Sequence, residues 1–224
     1  MTGRDVLAAM SVAALLVACA GGPPPPDWQM NAQGAMERAT AAYLSGNTRL
    51  EALEFSRARA EVARTGRADL LARAELMRCA ARVASLVFED CPGFAALAPD
   101  AGAAERAYAD YLAGRLRPQD AALLPAQHRD VATGSGSVDS LRILGPLSRL
   151  VAAGVLLRSA RAQPAVMALA VDTASAQGWS RPLLAWLNVQ ALRAEAAGEL
   201  NEAARLRRRI GMVLDAAPKA ASAP

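Results

Sequence analysis

The amino-acid sequence predicts an all-α protein, in which short helical hairpins pack against one another. Alanine and leucine dominate its composition, and both residues favour helix. Aromatic residues make up only 4% of the chain and β-branched residues rarely occur in runs, so few segments are typical of strands. Glycine and proline recur between apolar stretches of helical length, which predicts a succession of helices joined by short turns.

The chain begins with an apolar leader that ends in Leu16-Val17-Ala18-Cys19. The apolar run is too short to cross a bilayer, which needs about 20 residues. The four residues resemble the lipobox of bacterial lipoproteins. This resemblance implies that residues 1–18 are a signal peptide and that Cys19 is acylated, and Ala20 after it implies delivery to the outer membrane. The residues alone also allow a buried first helix with Cys19 in its core.

Residues 19–30 are predicted to hold the folded part of the chain away from the membrane. Two glycines and four consecutive prolines occupy positions 21–26. Such a run favours polyproline II, which rises about 3.1 Å per residue and acts as a stiff spacer. A ligand for a proline-recognition domain is the alternative interpretation.

The first predicted helix, residues 31–45, ends at Gly46-Asn47. The second, residues 48–64, has Thr48 as its predicted N-cap, with Glu51 at the spacing of a capping box. A third helix begins at Ala68, and its period places one apolar face toward the core. This face consists of Leu70, Leu71, Ala74, Met77 and Ala81.

The later elements follow from the same signals. A Gly/Ser linker, residues 133–137, separates an N-terminal helical half, 31–132, from a C-terminal half, 138–216, and a tail at 217–224 is predicted to be disordered. Residues 92–100 are expected to be irregular. Helices are predicted at 103–113, 119–131, 164–176, 181–197 and 199–214, with two buried helices within 138–160.

Two similar glycine turns suggest an internal repeat. Tyr43-Leu44-Ser45-Gly46 is echoed by Tyr111-Leu112-Ala113-Gly114 at twice a 34-residue period. Around the last turn, Ala191, Gly198 and Ala203 have the small-residue spacing of a tetratricopeptide repeat, which this helical pair resembles. The resemblance implies an α-solenoid of stacked antiparallel hairpins, and an irregular helical array is the other arrangement that the residues allow.

The chain has three cysteines, of which acylation would use Cys19. In an oxidising compartment the remaining two, Cys79 and Cys91, are predicted to form a disulfide worth about 3 kcal/mol. Because the two Cα atoms must lie within roughly 7 Å, the helix that carries Cys79 is expected to stop near residue 87 or 88. A zinc site with His128 as a third ligand is the competing interpretation.

No arrangement typical of catalysis occurs in the sequence, so an enzyme, a metal site and a cofactor other than the lipid are not expected. His128 is the one histidine and is predicted to be a surface or capping side chain. Ser135 and Ser137 lack the context of a nucleophile elbow. The carboxylate pairs Glu51/Glu54 and Glu195/Glu199 have the spacing of solvated helix faces.

The basic residues of the C-terminal half are concentrated near its end, at Arg205, Arg207, Arg208 and Arg209. These arginines and Trp28, which follows the prolines, are the candidate partner-binding residues. The alternative is that the arginines complement the dipole of a terminal helix. Trp179 and Trp186 are expected either in the core or at a partner.

Together these features predict a lipid-anchored outer-membrane protein that faces the periplasm and binds other envelope proteins as a scaffold or assembly factor. Its partners are expected to be proteins and, through the lipid, the membrane, but not nucleic acid. Two alternatives are a pilotin-like chaperone for a pilus or secretion-channel subunit, and a cell-wall enzyme or its regulator.

Overall fold

In the computed structural model, residues 24–134 and 137–216 are described; they form helices and contain no β-strand, which confirms the predicted all-α class. Cys19, the predicted signal peptide and the predicted tail lie outside these residues, as do positions 135 and 136 of the linker. The α-helices are α1 (Asp27–Leu44), α2 (Thr48–Ala63), α3 (Ala68–Ala84), α4 (Pro92–Ala95), α5 (Ala103–Leu112), α6 (Ala126–Thr133), α7 (Val138–Arg142), α8 (Pro146–Arg158), α9 (Pro164–Ala176), α10 (Ser180–Ala196) and α11 (Leu200–Ala216).

The cap of α2 is Asn47, so the prediction of Thr48 was wrong by one residue. Oδ1 of Asn47 accepts a hydrogen bond from the backbone N–H of Leu50 at 3.0 Å. Thr48 is the first helical residue. Glu51 was predicted to reach back to the cap, but it is buried against arginines of α3.

A disulfide between Cys79 and Cys91 ties α3 to the start of α4. The two Cα atoms are 5.6 Å apart, so the chain reverses between them, as the geometry of the bridge requires. The reversal comes earlier than predicted, because α3 ends at Ala84 and Leu86 takes a left-handed φ of 59°. The stretch at 92–100, predicted to be irregular, contains α4 and the short 3₁₀ segment Ala98–Asp100.

The main hydrophobic core lies where α3, α8, α9 and α10 meet. Helices α3 and α8 pack tightly at Gly154, where an added Cβ would lie 2.4 Å from the carbonyl oxygen of Val83. Trp186 of α10 is fully buried, and its Nε1 donates a hydrogen bond to the carbonyl oxygen of Ala84 at 3.1 Å. Trp186 was expected either in the core or in contact with a partner, and in the structure it lies in the core.

The turn between α1 and α2 packs against the start of α10. The Ser180 hydroxyl donates to the carbonyl oxygen of Ser45 at 3.0 Å, and Nε of Arg181 donates to that of Tyr43 at 2.7 Å. The Arg181 guanidinium also lies 4.3 Å from the centre of the Tyr43 ring. The start of α10 therefore contacts the first helical hairpin, which α1 and α2 form.

The helix predicted at 119–131 is divided in two by proline. The 3₁₀ segment Pro118–Leu123 comes first, and Pro125 then precedes α6. The two helices predicted within 138–160 are α7 and α8, with Gly145 as the N-cap of α8. Within 24–134 and 137–216, no helix combines the length and the apolarity that a membrane span requires.

Candidate functional site

A groove with two adjoining lobes crosses α3, and we call it the α3 groove. Its first lobe, of about 630 Å³, lies between α1, α2 and α3. Its second lobe, of about 440 Å³, lies between α3, α5 and the segment around Pro125. Arg73 and Met77 of α3 line both lobes, so the two lobes adjoin at these side chains.

Apolar side chains line most of the α3 groove, and some of them are unusually open to solvent. Met77 is 50% exposed and Leu123 is 41% exposed. Large apolar patches on a well-formed surface commonly mark contact with a partner. The apolar lining consists of Trp28, Ala32, Met36, Ala58, Val62, Leu70 and Ala74 in the first lobe, Leu76, Ala104, Tyr108, Leu123, Leu124 and Pro125 in the second, and Met77 in both.

The spacing of α3 explains why these side chains share one surface. Leu70, Arg73, Ala74 and Met77 follow the i, i+3, i+4, i+7 pattern and so form one stripe. The sequence predicted that Leu70, Ala74 and Met77 belong to a face turned toward the core, and for the half-exposed Met77 that prediction was wrong. Because α3 packs against α2, α5 and α8, its buried surface is wider than one stripe and is set by those neighbours.

The charged groups of the first lobe are largely paired. Glu37 accepts a hydrogen bond from Nε2 of Gln33 at 3.0 Å. Arg67 forms a salt bridge of 2.7 Å with Asp69, and this contact lowers the pKa of the Asp69 carboxyl group. The first lobe therefore offers a partner mainly apolar surface and amide groups.

The second lobe carries an arginine without a carboxylate partner. Nε of Arg73 donates to Glu105 at 2.6 Å, and the Glu105 carboxylate is buried beneath it. Nε of Arg129 instead donates to the carbonyl oxygen of Leu124 at 2.8 Å, and no salt bridge to Arg129 occurs within the described ranges. Its positive charge is thus uncompensated at the edge of the groove.

Buried glutamates connect the helices that line the groove through salt bridges to arginines. Glu51 and Glu54 were predicted to lie on a solvated face, and this was wrong, since they are only 3% and 4% exposed. Arginines of α1, α2 and α3 neutralise them, which the sequence spacing did not reveal. Each pair joins a buried carboxylate to an arginine that water partly reaches: Glu51 with Arg78 and Arg82, Glu54 with Arg38 and Arg57, Glu75 with Arg59, and Glu105 with Arg73. Glu195 and Glu199 are exposed, as predicted.

His128 is 2% exposed, so its predicted place at the surface was wrong. It packs between two rings of α5, with ring centres 5.7 Å from Tyr108 and 5.0 Å from Tyr111. Burial lowers the pKa of His128 to about 4 and raises that of the Tyr111 phenol. The imidazole is therefore neutral, and its Nδ1 forms a hydrogen bond of 3.3 Å with the Tyr111 hydroxyl.

The structure does not bring the predicted partner-binding residues together. Trp28, in the first turn of α1, lines the α3 groove. The arginines lie on α11, and two of them already have acidic partners: Arg205 lies 2.6 Å from Glu202, and Arg207 lies 2.9 Å from Glu195. Arg208 is exposed, and Arg209 borders a separate cavity of about 580 Å³ between α10 and α11.

The zinc alternative needed the thiolates of both Cys79 and Cys91, and the disulfide uses them. In the part of the chain that the structure describes, no three His, Cys, Asp or Glu side chains are grouped as metal ligands. Sequence reasoning missed Arg73, Leu123 and Arg129 as groove residues. Two signals pointed to the groove in advance: Trp28 was a candidate partner-binding residue, and Leu70 and Met77 had helical spacing that was interpreted as a core face.

Comparison with models of protein families, with curated protein sequences and with solved structures finds no match for this chain.

Proposed function

We propose that this protein is an outer-membrane lipoprotein, anchored through Cys19 and facing the periplasm, and that it is a non-catalytic scaffold or assembly factor for other envelope proteins. In this proposal the helices form a tetratricopeptide-like array, and a segment of a partner protein binds in the α3 groove. The observation that carries the proposal is the half-exposed Met77 at the junction of two apolar lobes.

The position of the groove supports this proposal. The backbone of Pro26, at the end of the proline run, has φ −56° and ψ 147°, which are polyproline II values. The carbonyl oxygen of Pro26 accepts from the N–H of Gln29, so the spacer leads directly into α1. Trp28 and Gln29 then line the first lobe, which places the groove close to the tethered end of the domain.

The proposal is tested by a photo-crosslinking amino acid at position 77 in cells, with position 192 as the control. Leu192 on α10 is 51% exposed, which matches Met77, but it does not line the groove. We expect position 77, and not position 192, to give a reproducible crosslinked envelope protein, and Met77→Glu to prevent co-purification of that protein. Equal crosslinking at both positions would contradict a partner-binding groove.

The anchor is tested separately by Cys19→Ala. If Cys19 carries the lipid, the variant moves from the outer-membrane fraction to the soluble periplasm, since loss of the acyl chains removes the membrane affinity. Unchanged fractionation would show that the lipobox assignment is wrong.

A further inference from the structure

We infer that the segment bound in the α3 groove is an amphipathic α-helix of a partner protein, with a carboxylate that pairs with Arg129. This inference rests on the proposed function, because it names the partner of the same groove. It follows from the backbone chemistry of the groove walls, from the distribution of apolar side chains, and from Arg129, whose charge has no acidic partner among the described residues and which lines the lobe away from Glu37.

The walls of the groove favour a helix over an extended segment. The first lobe is built from the sides of α1, α2 and α3, and α3 and α5 form most of the second. The backbone N–H and C=O groups of these walls are already used within the helices. An extended segment would therefore lose hydrogen bonds to water without gaining a ladder, whereas a helix satisfies its own backbone.

Apolar side chains lie in both lobes and at the residue that the lobes share, and this distribution suits a helix with a single apolar stripe. Met36 and Trp28 lie in the first lobe, Met77 lies at the junction, and Leu123 lies in the second lobe. Methionine side chains adapt to differently shaped apolar surfaces, which is useful in a groove that receives a helix. A partner helix with apolar residues at i, i+3 or i+4, and i+7 would reach both lobes.

The charges specify the second feature of the partner. Arg73 faces both lobes, but it already pairs with the buried Glu105. Glu37 is the only other carboxylate on the lining, and it lies in the first lobe. Arg129, in the second lobe, has just a neutral carbonyl as its hydrogen-bond acceptor among the described residues. An aspartate or glutamate on the partner helix would therefore gain most at the Arg129 end of the groove.

The test is a selection from a random peptide library against the full chain carrying Cys19→Ala. Peptides of about 18 residues are long enough for five helical turns. We expect the enriched peptides to carry apolar residues at helical spacing together with an aspartate or glutamate, and to gain helical circular dichroism on binding. Met77→Glu and Leu123→Glu should each abolish binding, whereas Leu192→Glu should leave it unchanged.

The role of Arg129 is tested with the enriched peptides and two variants. Arg129→Gln should weaken binding of the acidic peptide about 1.5-fold to fivefold, which is the range for a single solvent-exposed ion pair. The same change should have no effect on a peptide whose carboxylate is replaced by an amide. Arg193→Gln, which removes an exposed arginine of α10 that does not line the groove, is the matched control and should leave binding of both peptides unchanged.

The outcomes separate this inference from the proposed function. Enriched peptides that depend on Met77 but are extended, or basic, would overturn the acidic helix while supporting the groove as a binding site. Binders that tolerate both Met77→Glu and Leu123→Glu, or no binders at all, would overturn both. A thermal unfolding curve for each variant checks that the folded state is intact.

Discussion

The N-terminal helices and the C-terminal helices are packed by different physical means. Between α1, α2 and α3, buried glutamates pair with arginines of neighbouring helices around a small apolar cluster that includes Met36 and Phe55. Between α3, α8, α9 and α10, the contacts are almost entirely apolar and centre on residues such as Leu150 and Trp186. One chain thus contains an ion-paired region and an apolar core, with α3 belonging to both.

Because the two regions are packed differently, we expect one to supply most of the stability and the other to carry the binding surface. Burying apolar surface stabilises by about 25 cal/mol per Å². In these ion pairs the attraction is offset by the cost of burying the glutamate, and water weakens it at the partly exposed arginine. Most of the stability is therefore expected from the C-terminal core. The α3 groove lies mainly on the ion-paired side, where a partner helix can add the apolar contacts that this region lacks.

The largest effect is expected for Trp186→Ala in the apolar core. The change removes a fully buried ring and its hydrogen bond to the carbonyl oxygen of Ala84, so unfolding should become easier by about 3–5 kcal/mol. Urea unfolding measures the loss. Met77→Ala, on the groove, should cost less than about 1 kcal/mol in the same assay. Similar losses for the two variants would mean that the regions do not differ as described.

An acid-dependent loss of stability is expected at His128, where α6 meets α5. Its pKa is about 4 in the folded protein and about 6.5 when unfolded, so below pH 6.5 the unfolded state binds the extra proton. The stabilising effect of burying a neutral imidazole is full above pH 6.5 and is lost as pH falls toward 4, by about 2–3 kcal/mol.

The comparison for this prediction is His128→Gln, which keeps a hydrogen-bond acceptor for Tyr111 but cannot take up the proton. The free energy of unfolding of the variant, measured from pH 7.5 to 4, should fall less steeply than that of the natural protein. Parallel curves for the two proteins would show that His128 does not titrate in this way.

Gly154→Ala should disturb the crossing of α3 and α8. Its Cβ would lie 2.4 Å from the carbonyl oxygen of Val83, so the helices must separate, at a cost of about 1–3 kcal/mol. Gly211→Ala on α11 is the matched control, since no atom lies within 4 Å of its added Cβ. The control should stabilise the protein by about 0.5–1 kcal/mol through helix propensity, and thermal unfolding distinguishes the two signs.

The smallest and most specific effect is expected in the ion-paired region. Arg59→Met leaves the buried Glu75 carboxylate without its arginine, whereas Glu75→Gln leaves only a half-exposed arginine that water can solvate. The first change should therefore cost about 1–2 kcal/mol more than the second. A double-mutant cycle followed by urea unfolding measures the coupling, and equal costs for the two single variants would contradict this account.

Several elements were predictable because their signals are local. The span of α9 matches residue for residue, and the ends of α2, α10 and α11 fall within two residues of the prediction. Proline and glycine fix such ends through backbone geometry that does not depend on distant contacts. The N-cap of α2 was predicted at Thr48 instead of Asn47, because both residue types suit an N-cap. Which of the two caps the helix depends on side-chain geometry that the sequence does not show.

The candidate site was predictable only in part. Trp28 was singled out and lines the groove, but Met77 was assigned to the core, and Arg73 and Arg129 were not considered. Glu51, Glu54 and His128 were placed at the surface, because charged and polar side chains usually lie there. Their burial depends on arginines and tyrosines on other helices, and a single-helix pattern does not contain that information.

By itself, the sequence determined the helical class and most helix boundaries, since these follow from propensity and turn chemistry. The pairing of Cys79 with Cys91 was predicted once the lipobox resemblance had assigned Cys19 to the lipid. Only the tertiary structure decided which polar groups are buried, that α1 returns to α10, and that an apolar stripe of α3 borders a groove instead of the core. Those outcomes depend on contacts between residues far apart in the chain, and such contacts exist only once the helices have packed.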